Sequence, residues 1–115
     1  EANKKNGTMY YYTASHKLGL LQHKPSYGKG TSQTVKNTKI FKKFKKDYLE
    51  LKKGDMAVHS SLVIHGSEKN LSNLNRAGWT FAVKPKYSPY DKKRTSLFVK
   101  SLNKQIKLRE KNARI

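Results

Sequence analysis

Thr8-Met9-Tyr10-Tyr11-Tyr12-Thr13 is β-branched and aromatic apart from Met9, and it follows Asn6-Gly7, a pair that favours a tight turn. The pattern predicts a strand entered through a turn. Residues 1–6 ahead of it are polar. Residues 14–38 beyond it hold Gly19, Pro25, Gly28 and Gly30 among many Ser and Thr, with little periodicity. They read as a long loop with a short turn around Leu18–Leu21, and structureless loops of that length inside a domain are usually functional.

Further along, Ile40, Phe41, Phe44, Tyr48, Leu49 and Leu51 are separated by Lys pairs. Their spacing predicts a helical turn near 40–45 and a strand near 48–51, closed by the turn Lys53-Gly54-Asp55. Met56–His59 and Leu62–His65 read as two more apolar strand pieces, and Gly66–Asn75 as a polar loop. The clearest alternation is Arg76–Val83. Arg76, Gly78, Thr80 and Ala82 fall on one face, and Ala77, Trp79, Phe81 and Val83 on the other. Pro85 and Pro89 end it. From Lys92 onward, Leu97, Phe98, Leu102, Gln105, Ile106 and Arg109 recur at helical spacing, which predicts a basic terminal helix. Strands that alternate with loops rather than helices point to antiparallel β.

Composition sets the limits. At 115 residues the chain allows one domain, and its hydrophobic share of 35% lies below the roughly 45–50% usual in globular domains, so a core is thin. The absence of cysteine excludes disulfides, thiolate metal sites, zinc fingers and cysteine nucleophiles. No apolar run reaches the roughly 18 residues of a membrane span. No apolar N-terminal segment resembles a secretory signal, so the expected compartment is the cytoplasm. The chain carries 26 Lys+Arg against 7 Asp+Glu, a net charge of +19. Such charge suits phosphate neutralisation. Yet only Arg76, Arg94, Arg109 and Arg114 are arginines, and base readers favour the guanidinium fork. Most of the lysine is therefore read as a solvated face, with no specific nucleic-acid partner expected.

The chemistry concentrates between Gly54 and Arg76. His65 ends one apolar piece and Arg76 opens the next. A neutral imidazole suits first-row metals, and a guanidinium grips a carboxylate through two parallel hydrogen bonds. Gly78 and Ala82 leave room beside Arg76 for an anionic ligand. Taken singly, a histidine at a strand end is more often structural, and an arginine at a strand start is more often a solvated charge.

Taken together, His65-Gly66-Ser67, Asn70, Ser72 and Arg76 resemble the distal metal-histidine and cosubstrate-arginine segment of the phytanoyl-CoA dioxygenase family. Asn6-Gly7-Thr8 through Thr13-Ala14-Ser15-His16-Lys17 resembles a second segment of that family, with Thr13-Ala14 where Pro-Gly is usual. The turn Lys53-Gly54-Asp55 fits a third. The resemblance implies a mainly β fold, part of a double-stranded β-helix or jelly roll, over residues 1–91, with a basic terminal helix over 92–115. It implies His65 as one ligand of a two-His-one-carboxylate Fe(II) centre. It also implies Arg76 on the far carboxylate of the cosubstrate 2-oxoglutarate, with Ser67 as a second donor. The implied reaction hydroxylates a small organic or acyl substrate while 2-oxoglutarate is converted to succinate and CO2. His59 is read as structural or as a support behind the ligands, His16 as structural and His23 as a loop residue.

The family's first two ligands come as His-x-Asp or His-x-Glu, and none of the four histidines here is followed that way. With a polar start at Glu1 and no initiator Met, the expectation is a C-terminal fragment whose N-terminal part supplies the missing ligands. Alone, such a fragment is expected to be inactive, weakly stable and a weak binder of Fe(II). Two other classes compete. One is a basic nucleic-acid-binding module using the Lys-rich segments 36–53 and 92–111 with stacking tyrosines. The other is a noncatalytic cupin-like domain in which Arg76 holds an organic acid without a metal.

Overall fold

The computed structural model describes residues 1–27 and 33–113. In chain order the elements are β1 (Met9–Tyr12), a 3-10 helix (Ser15–Leu18), β2 (His23–Pro25) and β3 (Gln33–Val35). A second 3-10 helix (Thr38–Lys43), β4 (Lys46–Tyr48), β5 (His65–Ser67) and α1 (Lys92–Ala113) follow. The strands form small antiparallel sheets and α1 is the one α-helix among the described residues, an arrangement compatible with a mainly β fold. The chain divides into two compact units, residues 1–20 with 38–80 and residues 21–37 with 81–115.

The first unit is built on β1. β4 and β5 pair with it antiparallel, giving the order β4-β1-β5 with Tyr10 opposite Tyr48 and Gly66, and Tyr11 opposite Asp47 and His65. The Asn6-Gly7 turn that leads into β1 is tied internally. Asn6 is buried, accepts a hydrogen bond from the Asn3 amide at 2.8 Å and donates to the Glu1 carbonyl at 3.0 Å. Gly7 has φ 79, and a Cβ there would lie 2.6 Å from the Glu68 carbonyl oxygen, so the close approach demands glycine. Thr8, also buried, donates its hydroxyl to the Leu49 carbonyl. Ala2 and Leu51 pair beyond the strand ends.

Strand alternation sorts the side chains. Tyr10, Tyr12, Lys46, Tyr48 and Gly66 share one face of the sheet, and Met9, Tyr11, Asp47, His65 and Ser67 share the other. On the first face Tyr10 meets Tyr12 and Tyr48 edge-on at 5.8 and 6.1 Å, and Tyr12 lies 4.9 Å from Phe41. Gly66 has no side chain because the Tyr10 ring covers it; a Cβ would fall 2.7 Å from the ring carbon bearing the hydroxyl. Ile64 is the one buried hydrophobic residue among those described, at 7% exposed. Its amide donates to the hydroxyl of the fully buried Ser15 at 2.8 Å, and its carbonyl accepts from Tyr12 at 2.9 Å. The core is thin, as composition predicts.

In the second unit β2 and β3 form an antiparallel pair, Lys24 opposite Thr34, and α1 packs against β2. The Tyr27 amide donates to the side-chain oxygen of the buried Gln105 at 3.5 Å. Asp91 caps the helix. Its carboxylate accepts the Arg94 amide at 2.9 Å, satisfying one of the first-turn donors, and pairs with the Arg94 side chain at 3.2 Å.

Several expectations are corrected. Arg76–Val83 is irregular rather than a strand, and Trp79 and Val83 are 89% and 94% exposed. Alternation makes a strand possible, but only a partner supplying ladder hydrogen bonds makes one. Met56–His59 is likewise irregular, with Met56 and Val58 exposed. The strand expected at 48–51 runs instead over Lys46–Tyr48, because pairing with Tyr12 through Tyr10 fixes its span. The supposed loop 14–38 contains the first 3-10 helix, β2 and β3, while Gly28 and Gly30 lie outside the described residues. Gly66 and Ser67, expected in a loop, belong to β5.

Candidate functional site

His65 and Ser67 stand two residues apart on β5 and so share a face with Tyr11 and Met9 of β1. Both are exposed. The Nδ1 of His65 lies 2.9 Å from the Val63 carbonyl oxygen. A carbonyl can only accept, so this bond requires the proton on Nδ1, and in the neutral ring Nε2 then keeps its lone pair. That is the tautomer a metal-ligating histidine needs, with the second nitrogen anchored to the backbone.

Between Ser67 and Arg76 the chain is organised by Asn70. Its side-chain oxygen accepts from the Ser72 amide at 2.9 Å and the Ser72 hydroxyl at 2.8 Å, and its amide nitrogen donates to the Leu74 carbonyl at 2.8 Å. Arg76 follows this knot, half-buried and in no ion pair among the described residues.

His59 reaches the same face by another route. The Val63 amide donates to the Ser60 carbonyl at 3.1 Å, closing a turn through Ser60 and Ser61. The reversal brings the His59 ring to 5.0 Å from that of His65 and 5.0 Å from that of Tyr11. Beside these rings an open cleft of about 420 Å³ is lined by Tyr11, His16, Leu49, Val58, His59 and Val63. Burial pushes the Tyr11 phenol above its usual pKa, which keeps it neutral. His16 thus contributes to the cleft wall, and His23 lies in the second unit with Nδ1 2.8 Å from the Leu21 carbonyl. The nearness of His59 to His65 was not readable from their six-residue spacing, which places two residues on one face only of an unbroken strand.

Across the sheet, Glu68 bonds Lys46 and accepts from the Tyr48 hydroxyl at 2.9 Å. These donors hold its carboxyl below the ordinary carboxylate range, Lys46 first. Lys46 lies 3.8 Å over the Tyr10 ring. Glu68 is thereby committed to the other face from His65.

Among the described residues no three His, Cys, Asp or Glu side chains converge to hold a metal ion. By themselves these residues do not fit a two-His-one-carboxylate iron centre. No helix among them is long and apolar enough to cross a membrane.

Residues 1–78 match the family described as phytanoyl-CoA dioxygenase (PhyH). No curated protein and no solved structure matches the chain. The match covers β1, β4, β5, His59, His65, Ser67 and Arg76, and stops before α1.

Proposed function

The chain belongs to the phytanoyl-CoA dioxygenase family, and on that premise we propose that it forms the C-terminal part of a jelly-roll dioxygenase dependent on Fe(II) and 2-oxoglutarate. Its substrate is a small organic or acyl molecule hydroxylated at a C–H bond. The observation that carries the reading is the placement of His65 and Ser67 on one face of β5, with His65 anchored through Nδ1 and its Nε2 free to bind.

In this reading His65 is the distal iron ligand, and a His-x-Asp pair outside residues 1–115 supplies the other two. The Arg76 guanidinium holds the far carboxylate of 2-oxoglutarate, where a fixed charge and a planar fork give both strength and orientation. The Ser67 hydroxyl donates a second hydrogen bond to the same carboxylate. Asn70 sets the path of the chain between the two donors, so its bonds to Ser72 and Leu74 position Arg76. Alone, the 115-residue chain is inactive and binds Fe(II) weakly.

The test joins gene and protein. The coding frame upstream of Glu1 is read, and the product is assayed for succinate formation with Fe(II) and 2-oxoglutarate. A His-x-Asp motif upstream is expected, with turnover abolished by His65→Ala. For Arg76→Ala, the KM for 2-oxoglutarate is expected to rise at least roughly tenfold, the cost of leaving a carboxylate unpaired. Turnover indifferent to His65→Ala overturns the reading, as does tight one-to-one Fe(II) binding by the 115-residue chain.

A further inference from the structure

We propose that His59 and His65 together form a two-imidazole site in this chain for a late first-row divalent cation such as Ni(II) or Co(II). The reading above assigns one imidazole here to iron; this site adds His59 and needs neither Arg76 nor 2-oxoglutarate.

Three observations converge. First, both rings are anchored alike. His59 Nδ1 lies 3.0 Å from the Ser60 carbonyl and His65 Nδ1 lies 2.9 Å from the Val63 carbonyl. Each therefore donates through Nδ1 and, as the neutral ring, offers the Nε2 lone pair, the arrangement in which a backbone acceptor orients a ligand and raises its basicity.

Second, the spacing suits two ligands on one ion. A metal–nitrogen bond of about 2.1 Å puts an imidazole centre about 3.2 Å from the ion. Two such rings at angles from roughly 90° to roughly 110° then have centres about 4.5–5.2 Å apart. The observed separation is 5.0 Å, with the planes tilted by 53° rather than stacked.

Third, the surroundings hold the pair and leave the ion room. Tyr11 backs both rings, at 5.0 Å from His59 and 6.2 Å from His65. The Ser60–Val63 turn fixes the return of the chain, with the Leu62 amide on the Ser60 hydroxyl at 3.2 Å. Both His59 and His65 are exposed, so water can reach the remaining coordination positions. The acidic residue on this face of the strands, Asp47, is engaged by Lys45 at 2.6 Å and by Thr13 at 2.5 Å. With no carboxylate added, the donor set is two neutral nitrogens. Imidazole donors favour Ni(II) over Co(II) over Fe(II). Weak Fe(II) binding by the chain is thus compatible with measurable Ni(II) binding.

The experiment titrates the 115-residue chain with Ni(II) by calorimetry, and with Co(II) while the histidine ring protons are followed by NMR. One Ni(II) per chain is expected, with two of the four histidines broadened selectively by Co(II). His59→Ala and His65→Ala should each weaken Ni(II) binding at least tenfold, and His23→Ala should not. His59→Phe retains an aromatic ring against Tyr11 while removing the nitrogen, so it should lose binding as His59→Ala does and guards against a folding artefact. Ni(II) affinity unchanged in His59→Phe overturns the proposal, as does equal broadening of all four histidines. Failure of Arg76→Ala to affect 2-oxoglutarate leaves these outcomes untouched, so the two readings fail separately.

Discussion

Ala14 holds φ 64, a left-handed conformation in which a Cβ crowds the backbone at a cost of about 1–2 kcal/mol. The strain sits at a junction. Ala14 leads from β1 into the 3-10 helix Ser15–Leu18, and Ser15 must arrive in place to receive the Ile64 amide. Glycine relieves the strain but enlarges the freedom of the unfolded chain. Ala14→Gly is therefore expected to stabilise by a net of about 0.5–1 kcal/mol, read as a raised thermal midpoint. A lowered midpoint would show that the Ala14 methyl contributes packing that outweighs its strain. At this scale the sequence was informative where one residue type answers one backbone demand. Asn6-Gly7 announced a turn, and Gly7 is required there by both φ and a close carbonyl. Thr13-Ala14 in place of Pro-Gly marked the junction that the structure shows to be strained. His59 carried no such signal, because its approach to His65 depends on a turn that returns the chain across the sheet.

The two edge strands of the β4-β1-β5 sheet are linked over the central one by side chains. Glu68, just past β5, reaches Lys46 and Tyr48 on β4, and Lys46 rests on the Tyr10 ring between them. Because Lys46 and Tyr48 hold Glu68 below its ordinary pKa of 4.5, the folded state favours its ionised form. Its contribution to stability is full above about pH 4.5 and is lost as pH falls through the lower folded value. Glu68→Gln should therefore lower the urea midpoint at neutral pH, and the gap to the parent chain should narrow in acid. A gap of constant size from about pH 7 to about pH 3 would refute the ionic origin. The elements divide by what defines them. β1 and α1 were legible because a run of β-branched and aromatic residues, or a repeat at helical spacing, is written locally. Arg76–Val83 has the better alternation and is no strand, since alternation does not specify a partner. β2 and β3 are short pieces inside a stretch rich in loop-forming residues, and their pairing, His23 opposite Val35, leaves no local pattern.

With 26 basic and 7 acidic residues, at most seven cations can have a carboxylate of their own, so the chain as a whole repels itself. Only Ile64 is buried among the described hydrophobic residues, which leaves little apolar burial to offset that repulsion. The thermal midpoint should accordingly climb as sodium chloride is raised from about 10 mM to about 300 mM, over which the screening length falls from about 30 Å to below 10 Å. A midpoint independent of salt would mean that the lysines are too widely spread to oppose folding. Trp79 adds a practical consequence. It is the only tryptophan and is 89% exposed, so its indole is already largely hydrated in the folded chain. Its fluorescence is therefore a poor witness to unfolding of the sheet, for which the clustered tyrosines of β1 and β4 are the better chromophores. The same exposure makes the indole a built-in reporter of encounter: a molecule that covers Trp79 and excludes water from it should shift its emission to the blue.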